Sequence, residues 1–506
     1  MAFTSPSTST SCPAAPTPPP PLSAQSVIIV GSGLAGLAAA SQLVAHKVPV
    51  HMLDRAPKPG GNSIKASSGI NGVPTRFQPL KDDTPGLFFN DTINSAGGVL
   101  LLRSSSDQVL LREQLIRTLT SSAGSAVNWL VDENGIDLSR VVQLGGHSRP
   151  RTHRGAGEKP PGVAIVSTLL GLLEKNPLFK LQTDATVTKV LREDEEVLGV
   201  EYTCEGDSST TATKTEEKLH GPVIFASGGF AGDAHGLLAK YRPDLAGVPT
   251  TNQAREGSQP LLTDIGAGLL DMESVQVHPT GFIDPKDPAA QVKFLAAEAL
   301  RGEGAIMLLE NGTRFVNELE TRKNVTDAIM RSAATTTPEN TRQWPVNLVL
   351  DEGAAEAASS HLGFYTWKGL VRKTTVSELG TSALQTIQDY ADIVSGRKTD
   401  EYHRTSFGSW TLTDVRPDSV MYVGQVTPVV HFTMGGVTIN ERSEVLDMDM
   451  KQIRGLWAAG EVAGGVHGQN RLGGSSLLEC VVFGRIAGDQ AAKFYQEHYA
   501  TRLDDL

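Results

Sequence analysis

The clearest hydrophobic pattern in the chain is a β-branched run at residues 27–30, followed by a glycine-rich turn and an alanine- and leucine-rich stretch that ends near Val44. A short apolar run bounded by glycine predicts a buried strand, whereas the longer stretch predicts a helix. Residues 26–44 are apolar enough to suggest a membrane span, but three glycines at fixed spacing fit a strand, turn and helix better. A second run, "VPVHMLD", predicts another strand that ends at Asp54.

The turn after the first predicted strand has the pattern G-x-G-x-x-G, in the context that makes this pattern informative for dinucleotide binding. Gly31 permits a tight turn, Gly33 lets the backbone approach a pyrophosphate, and Gly36 lets helix and strand pack closely. Asp54 follows at about the separation of roughly 20 residues expected for an acid that accepts from a ribose hydroxyl. The alternative is a glycine turn with a structural role alone.

Two further segments favour a flavin over a nicotinamide nucleotide. The loop "KPGGNSIKASSGING" is too long and polar for a simple turn, and it could wrap a pyrophosphate and reach an isoalloxazine ring. Later, "GLWAAGE" predicts a strand, and a glycine-rich turn then leads to a helix that starts near Ser475. The positive end of this helix would stabilise negative charge on a reduced flavin by roughly 0.3–2 kcal/mol. Glu461 is an expected acceptor for ribityl hydroxyls, and its alternative role is a capping or packing acid.

Composition narrows the function classes. The chain has 506 residues, 39% hydrophobic residues and 51 glycines, which suffice for at least two large domains with their own cores. A net charge of −11 argues against nucleic-acid binding, because no basic stripe is present to release phosphate counterions. The cysteines Cys12, Cys204 and Cys480 form no CxxC pair, which excludes a disulfide framework, a zinc knuckle and c-type haem. No metal site is predicted.

Residues 1–25 are rich in Ser, Thr and Pro and carry no charge, so they are predicted to form a disordered leader. The first basic residue is Lys47, and the leader therefore lacks the features of a secretory signal or a mitochondrial presequence. The expected location is the cytoplasm, with the mitochondrion as the alternative.

Seven segments carry a family resemblance: "GSGLAG", "GGNSIKASSGING", "VQVHPTGF", "EALRGEGAI", "RFVNELETR", "HFTMGGV" and "GEVAGGVHGQNRLGGSSLLE". In this order they resemble the fungal type of soluble FAD-dependent fumarate reductase, within the family of succinate dehydrogenase and fumarate reductase flavoproteins and flavocytochrome c. The resemblance covers about residues 26–490, and neither a cytochrome b5 "HPGG" nor a CxxCH haem motif occurs.

The resemblance implies an α/β fold in which a Rossmann-like FAD-binding domain contains an inserted α+β clamp, or capping, domain. The FAD-binding domain is expected at residues 26–271 and 431–506, and the clamp domain at residues 272–430. The predicted cofactor-binding residues are Gly31, Gly33, Leu34, Ala35, Gly36, Asp54, Arg55, Gly61, Asn62, Ser63, Ser67, Ser68, Gly69, Asn71, Val187, Ala226, Gly228, Glu461, Gly474, Ser476 and Leu477.

The resemblance also implies fumarate as substrate and succinate as product. Both carboxylates of this small dianion need cations or donors, and its double bond must accept a hydride at one carbon and a proton at the other. His278 and His431 resemble the family's substrate-carboxylate histidines. Arg471 resembles its arginine clamp, because a guanidinium fork matches a carboxylate.

The segment "RFVNELETRK" contains three cations, of which the resemblance assigns Arg322 as the proton donor. Arg314 is a basic position of the motif without an assigned role, and Lys323 is expected to be solvated. A guanidinium, with a pKa above about 12, can give up a proton only to a strong base such as the carbanion-like charge that builds beside a carboxylate. Glu298 and Arg301 resemble the proton path to this donor, and the alternative is a plain ion pair on a helix surface.

The chain departs from the family pattern at several positions. Ala297 stands where bacterial members carry a threonine that helps to hold substrate, and the segment around Gly257 and Ser258 lacks the usual Gly-Asp-Gly pattern. Membrane-bound relatives tether FAD through a histidine in the "GGNS" region. Because no histidine occurs between His51 and His147, FAD is expected to be non-covalent.

The electron donor follows from what the sequence lacks. No second G-x-G-x-x-G and no haem motif occur, so reduced FMN or FAD is expected as the donor ahead of NADH, with a redox partner protein as another possibility. A monomer without membrane contact is expected. Two other functions stay open: reduction of a different α,β-unsaturated acid or a related flavoenzyme reaction, and a non-catalytic flavin-binding role.

Overall fold

The structure of the chain is a computed structural model that describes residues 26–97, 106–157, 159–204 and 215–499. The predicted leader, residues 1–25, lies outside the described residues. The strands in chain order are β1 (Val27–Val30), β2 (Val50–Leu53), β3 (Ile70–Asn71), β4 (Arg140–Val142), β5 (Thr152–Arg154), β6 (Phe179–Gln182), β7 (Ala185–Glu193), β8 (Glu196–Cys204), β9 (Thr215–His220), β10 (Val223–Phe225), β11 (Leu269–Leu270), β12 (Val275–Phe282), β13 (Ile306–Leu308), β14 (Val346–Leu350), β15 (Arg372–Thr375), β16 (Val420–Thr433), β17 (Gly436–Val437), β18 (Glu444–Leu446) and β19 (Gln452–Ala458).

The α-helices alternate with these strands through most of the chain. In chain order they are α1 (Leu34–Ala45), α2 (Pro85–Ala96), α3 (Ser106–Ser121), α4 (Ala123–Asn128), α5 (Pro161–Leu173), α6 (Leu237–Tyr241), α7 (Gln259–Thr263), α8 (Ala299–Gly302), α9 (Arg322–Ser332), α10 (Glu352–Ala357), α11 (Ser359–Lys368), α12 (Ala383–Val394) and α13 (Ser475–His498). A π-helical turn at Trp129–Glu133 continues α4.

The larger sheet has the order β6-β2-β1-β10-β19-β8-β7, with β18 paired to β19 and β9 paired to β8. Its central pairs β2-β1, β1-β10 and β10-β19 are parallel, and the four residues of β1 are buried. Parallel strands covered on both faces read as continuous apolar runs, which explains the sequence pattern at β1. The glycine turn after β1 therefore lies at a carboxyl edge of this sheet, the usual place for a ligand in such folds.

Helices α1 and α13 pack closely beside this sheet. A Cβ atom at Gly484 would lie 2.5 Å from Ala35 O, and one at Gly488 would lie 2.5 Å from Ala39 O. The two glycines are one helical turn apart, so together they clear the face of α13 that meets the alanine-rich face of α1. This contact brings the start of the C-terminal helix next to the glycine turn. The sequence prediction of a helix that starts near Ser475 is confirmed.

A second, antiparallel sheet has the order β12-β16-β14-β13, with β15 also paired to β16. Its strands come from residues 275–433, and apolar residues from this region and its surrounding helices form a separate core. The mixed α/β architecture with a Rossmann-like portion confirms the predicted fold class. The predicted boundary between residues 430 and 431 falls within β16, and the domain boundaries stay a prediction.

Among the described residues, no helix combines the length and apolarity needed to cross a membrane.

Candidate active site

A cavity of about 1620 Å³ is lined by residues from both the larger sheet and the inserted region. Most predicted cofactor-binding residues line it, and Gly36 and Asn71 do not. Those on its wall are Gly31, Gly33, Leu34, Ala35, Asp54, Arg55, Gly61, Asn62, Ser63, Ser67, Ser68, Gly69, Val187, Ala226, Gly228, Glu461, Gly474, Ser476 and Leu477. Gly257 and Ser258, whose segment departs from the family pattern, also line the cavity.

The glycine turn has the shape that a pyrophosphate requires. Gly31 has φ +108°, and a Cβ there would lie 2.4 Å from Ala226 O. At Gly36 a Cβ would lie 2.1 Å from Gly31 O, so this glycine shapes the turn from beneath the cavity wall. At Gly33 the nearest atom to an added Cβ, Ser63 Oγ, is 3.6 Å away, an ordinary van der Waals distance, so the protein itself has room for a side chain there.

The Asp54 carboxylate both holds the glycine turn and lines the cavity. One carboxylate oxygen, Oδ2, accepts a hydrogen bond from the backbone N–H of Ser32 at 2.9 Å and another from the Ser32 hydroxyl. The other oxygen, Oδ1, accepts from the N–H of Ala56 at 2.8 Å. The carboxylate therefore holds the glycine turn in place while one of its faces lines the cavity.

Asn71 connects the polar loop to the start of α13. Its Nδ2 donates to Gly473 O and to Ser475 Oγ, both at 2.9 Å, and its Oδ1 accepts from Thr152 Oγ1 at 2.7 Å. The side chain is fully buried, so the structure places it behind the cavity wall. Ser67 Oγ, in contrast, is a buried hydroxyl on that wall and has no partner within the described residues.

Glu461 lies at the cavity beyond the end of β19. Its Oε1 accepts from the N–H of Thr433 at 3.0 Å. Burial raises the pKa of Glu461 to about 7. The cradle for a phosphate, the free Ser67 hydroxyl and this carboxyl together fit the predicted flavin nucleotide.

A group of cationic and imidazole side chains lies in the same cavity: Arg322, Arg471 and His431 all line it. Arg471 donates from Nη1 to Leu472 O at 3.2 Å, and its guanidinium lies 4.3 Å from the centre of the Phe432 ring. Burial, and next the charge of Arg322, lowers the pKa of Arg471 to about 9. It is therefore a cation at neutral pH.

Arg322 is the first residue of α9, where Thr321 caps the helix by accepting from the N–H of Asn324. Its Nε and Nη2 lie 2.7 and 2.6 Å from a single oxygen, Oε2 of Glu298. The third nitrogen, Nη1, has no hydrogen-bond partner in the part of the chain that the structure describes. One edge of the guanidinium is thus fixed, and a donor remains available.

His278 and His431 come from the adjacent strands β12 and β16, with ring centres 5.3 Å apart. The register places Gln276 opposite Phe432 and Val277 opposite Val430, so His431 is the extra residue of a β-bulge. The bulge turns His431 into the cavity. His278 is fully buried and does not line it.

Each imidazole has its Nδ1 engaged. The N–H of Thr280 donates to His278 Nδ1 at 3.2 Å, so the proton of a neutral ring resides on Nε2, which has no partner among the described residues. His431 Nδ1 lies 2.9 Å from Thr251 Oγ1. Burial, and next the charge of Arg322, holds the pKa of both histidines well below the usual value, so both rings are neutral at pH 7.

Glu298 immediately precedes the short helix α8, and Arg301 lies within it. Both side chains are fully buried, which excludes the alternative of a helix-surface ion pair. Glu298 Oε1 accepts from the N–H of Gly145 at 2.9 Å and lies 3.8 Å from Arg301 Nη2. Two arginines and a backbone N–H overcome the effect of burial and lower the pKa of Glu298 to about 2.

The other two cations of the segment have different surroundings. Arg314 is buried between Glu318 and Asp400, with nitrogen to oxygen distances of 2.8 and 2.6 Å. Lys323 forms an ion pair with Asp327 at 2.6 Å, and its side chain is 52% exposed. Of the three, the structure brings only Arg322 to the cavity.

Three residues that contact the site carry no sequence motif for this role. Thr251 contacts His431, and Gly145 donates to Glu298. His361 reaches from the inserted region and donates from Nε2 to Ser67 O at 2.6 Å. Thr251 and His431 are 180 residues apart in sequence, and Gly145 and Glu298 are 153 residues apart, so only the folded chain reveals these pairs.

Residues 26–477 match a family described as an FAD binding domain. Fumarate reductase 1 of Saccharomyces cerevisiae is 42% identical to this chain, covering 93% of the chain and 99% of that protein. Fumarate reductase of Schizosaccharomyces pombe is 39% identical, covering 92% and 89%. Among solved structures, the open conformation of a flavocytochrome c3 fumarate reductase aligns with a TM-score of 0.69 at 30% identity, covering 93% of this chain and 78% of that one.

The match includes the glycine turn, the polar loop, the inserted region and the first residues of α13. It thus contains both parts of the chain that line the cavity. The chain belongs to the flavoprotein family defined by this FAD binding domain.

Proposed function

We propose that this chain is a fumarate reductase that converts fumarate to succinate with FAD as its cofactor. The observation that carries the proposal is the state of Arg322. Glu298 fixes one edge of its guanidinium, Nη1 has no partner among the described residues, and Arg322 lines the cavity together with Arg471 and His431. The activities named for the fungal relatives support the same reaction.

FAD, when bound, supplies the hydride. The glycine turn would hold the pyrophosphate, since Gly33 leaves space there and Gly31 shapes the turn. The start of α13 would place a positive helix end at the flavin. We infer that the cofactor is non-covalent, because the loop at residues 58–72 contains no histidine.

The cavity is suited to a dianion. Arg322 and Arg471 are cations, and neutral His278 and His431 can add N–H donors without a further charge. His278 does not line the cavity. It can contact substrate only if its Nε2 extends past the residues of the cavity wall. Arg471 suits one carboxylate because its planar fork offers two parallel donors.

Arg322 is the proposed proton donor. When a hydride adds to one carbon of fumarate, negative charge builds on the other carbon beside its carboxylate, and the nearby guanidinium stabilises that charge. A proton then moves from the guanidinium to this carbon, which leaves a neutral guanidine. Because the neutral form is costly at pH 7, it must be restored at once.

Glu298 and Arg301 are the proposed route for that restoration. The Glu298 carboxylate contacts Arg322 through Oε2, and its Oε1 faces Arg301. Arg301 would give a proton to Oε1 of Glu298 and be reprotonated in turn from solvent, and a half turn of the carboxyl group would then bring that proton to the neutral guanidine of Arg322. Both groups are shielded from water, which favours directed transfer over leakage.

The remaining features of the proposal come from the sequence. The electron donor is reduced FMN or FAD ahead of NADH, the protein is a monomer, and its location is cytoplasmic, with a mitochondrial location as the alternative. The domain division at residues 271 and 430 belongs to the same proposal.

A single experiment tests the reaction. The purified protein is loaded with FAD, reduced with dithionite without oxygen, and mixed with fumarate while the flavin absorbance is followed. Rapid reoxidation and formation of succinate are expected. Reoxidation by crotonate and not by fumarate would instead assign a different unsaturated acid, and no reoxidation by either would favour a non-catalytic flavin-binding protein.

A further inference from the structure

We propose that Gly145 and Gly473 are positioning residues of the proton relay: they form a slot that fixes the Glu298 carboxylate with one oxygen toward Arg301 and the other toward Arg322. The proposal rests on the proposed function, since it concerns how the reaction's proton is delivered. Neither glycine belongs to a predicted binding or catalytic set.

The slot is defined by close approach on both sides of the carboxylate. A Cβ at Gly145 would lie 3.0 Å from Glu298 Oε1 and 2.5 Å from Glu320 O. A Cβ at Gly473 would lie 2.7 Å from Glu298 Oε2. The two glycines come from segments far apart in sequence, so the fold as a whole builds the slot.

Space, and not backbone conformation, requires glycine at position 145. Its φ lies outside the left-handed region, so any residue could adopt the same backbone. The atoms that an added Cβ would meet are a carboxylate oxygen and a backbone carbonyl of the segment just before Arg322. A methyl group there would therefore move the acid, the donor segment or both.

The slot also supplies a hydrogen bond and is itself braced. The N–H of Gly145 donates to Glu298 Oε1 at 2.9 Å. The neighbouring N–H of Gly146 donates to Leu319 O at 3.0 Å and ties this turn to the segment that carries Arg322. On the other side, Gly473 O accepts from Asn71 Nδ2 at 2.9 Å and from His147 Nε2 at 3.0 Å.

The His147 contact is directional. Arg151 Nη1 lies 3.1 Å from His147 Nδ1, and because an arginine nitrogen can only donate, Nδ1 accepts and Nε2 carries the ring proton. That proton is the one given to Gly473 O. The wall of the slot is thus held by two donors from separate segments.

A carboxylate that relays a proton between two neighbours gains from a fixed plane, because a half turn about Cγ–Cδ then exchanges its two oxygens between the same two positions. Oε2 accepts hydrogen bonds from two N–H groups of Arg322. Oε1 accepts one from the N–H of Gly145, and its other side faces Arg301. A proton that arrives from the side of Arg301 therefore meets an oxygen that does not contact the donor. A proton taken up at Oε1 reaches Arg322 when the carboxyl group makes a half turn about its Cγ–Cδ bond, which brings the protonated oxygen to the guanidine and the other oxygen to the N–H of Gly145.

The test compares Gly145→Ala and Gly473→Ala with the matched substitution Gly171→Ala, where an added Cβ meets nothing within 4 Å. In both slot variants the rate of flavin reoxidation by fumarate should fall by at least about tenfold, in line with the usual contribution of a positioned acid or base. The ratio of that rate in H2O to that in D2O should rise above the parent's. FAD content should stay within about twofold of the parent in both variants, and so should the Kd for succinate in Gly473→Ala, whose added Cβ meets Glu298 and Leu144 and not the segment that carries Arg322. Gly171→Ala should match the parent throughout.

A double-mutant cycle separates positioning from general disturbance. If Gly145 acts through Glu298, adding Gly145→Ala to Glu298→Gln should lower the rate by less than about twofold further. An equal loss in both backgrounds would overturn the proposal, as would an unchanged rate or isotope ratio in Gly145→Ala, or a parallel loss of succinate binding in Gly473→Ala.

Amide hydrogen exchange tests the slot even if the alanine variants do not fold. Should the alanine variants fail to fold, amide hydrogen exchange of the parent and of Glu298→Ala is compared: exchange at Gly145 should accelerate in the variant, and equal exchange would refute the hydrogen bond on which the slot depends. Failure of the proposed function is distinguishable, because the parent itself would then show no reoxidation by fumarate.

Discussion

Arg322 and Glu298 meet edge to tip: two nitrogens of the guanidinium, Nε and Nη2, converge on the single oxygen Oε2 at 2.7 and 2.6 Å. This arrangement differs from the parallel fork that usually joins arginine to a carboxylate. It leaves the second carboxylate oxygen for Gly145 and Arg301, and it leaves Nη1 of Arg322 without a partner among the described residues. The pair therefore connects a buried acid to an arginine that lines the cavity and keeps one buried nitrogen without a partner among the described residues.

Replacement of Arg322 should abolish reduction while the flavin stays bound. For Arg322→Lys and Arg322→Gln we expect the rate of reoxidation by fumarate to fall by about 10²–10⁴, the usual range for loss of a positioned acid or base. FAD content should be unchanged, since Arg322 lies apart from the glycine turn. Anaerobic stopped-flow absorbance measures both quantities. Lys323→Ala is the neighbouring control and should behave as the parent, because Lys323 forms only an exposed ion pair with Asp327.

A lysine at position 322 that turns over fumarate as quickly as arginine would contradict the assigned proton donor. The family assignment would be unaffected, because it depends on the match over residues 26–477.

Binding of a dianion should weaken at alkaline pH through Arg471. Its pKa is lowered to about 9, first by burial and then by the charge of Arg322, so it is protonated below that pH and loses its charge above it. Apart from a small change near pH 7, where the Glu461 carboxyl in the same cavity ionises, the Kd for succinate should be flat up to about pH 8.5 and rise by up to about tenfold per pH unit above pH 9. Perturbation of the flavin spectrum by succinate reports the Kd.

Arg471→Gln provides the control for this pH dependence. This variant should bind succinate weakly at every pH and show no inflection near pH 9. If the inflection persists at the same pH without Arg471, another group is responsible. His278 and His431 should add no inflection between pH 6.5 and 8, because their pKa values in the free protein lie well below this range.

The sequence reveals the features of the site that are local in the chain. The roles of Gly31 and Gly36 follow from a pattern of six consecutive residues, and the contacts of an added Cβ at 2.4 and 2.1 Å give the steric reason. Asp54 follows at the end of the next strand, and it contacts Ser32 within the same unit. Such motifs are readable because strand, turn and helix fix the geometry over a short span.

Features that depend on distant segments are not readable in this way. The β-bulge that turns His431 into the cavity arises from the register of β16 against β12, which the residue pattern does not specify. The difference between Arg314 and Arg322 depends on Asp400 and Glu298, each far from these cations in sequence. The family resemblance distinguishes the three cations of this segment, but the physical reason for the difference appears only in the tertiary packing.

Thr251 should set the orientation of His431. Its hydroxyl lies 2.9 Å from His431 Nδ1, and donation of its proton would leave the ring proton on Nε2. Thr251→Val keeps the shape of the side chain but removes this hydrogen bond, so the KM for fumarate should rise by about 2- to 13-fold, equivalent to about 0.5–1.5 kcal/mol. Steady-state kinetics with Thr251→Ser, which keeps the hydroxyl, should show recovery. Equal effects of serine and valine would indicate a packing role instead.

Alanine substitutions at Gly31 and Gly33 should affect different properties: the stability of the FAD-free protein at Gly31 and the binding of FAD at Gly33. At Gly31 the φ of +108° and the Cβ contact at 2.4 Å to Ala226 O disturb the protein itself, so Gly31→Ala should lower the Tm of the FAD-free protein. At Gly33 the nearest atom is 3.6 Å away, so Gly33→Ala should leave that Tm unchanged and weaken only the binding of FAD, whose pyrophosphate would meet the new methyl group. Thermal unfolding without FAD and flavin titration by fluorescence quenching measure the two effects. Tight FAD binding by Gly33→Ala would show that the pyrophosphate does not lie against this turn, whereas an FAD-free Gly31→Ala protein as stable as the parent would contradict the steric role of Gly31.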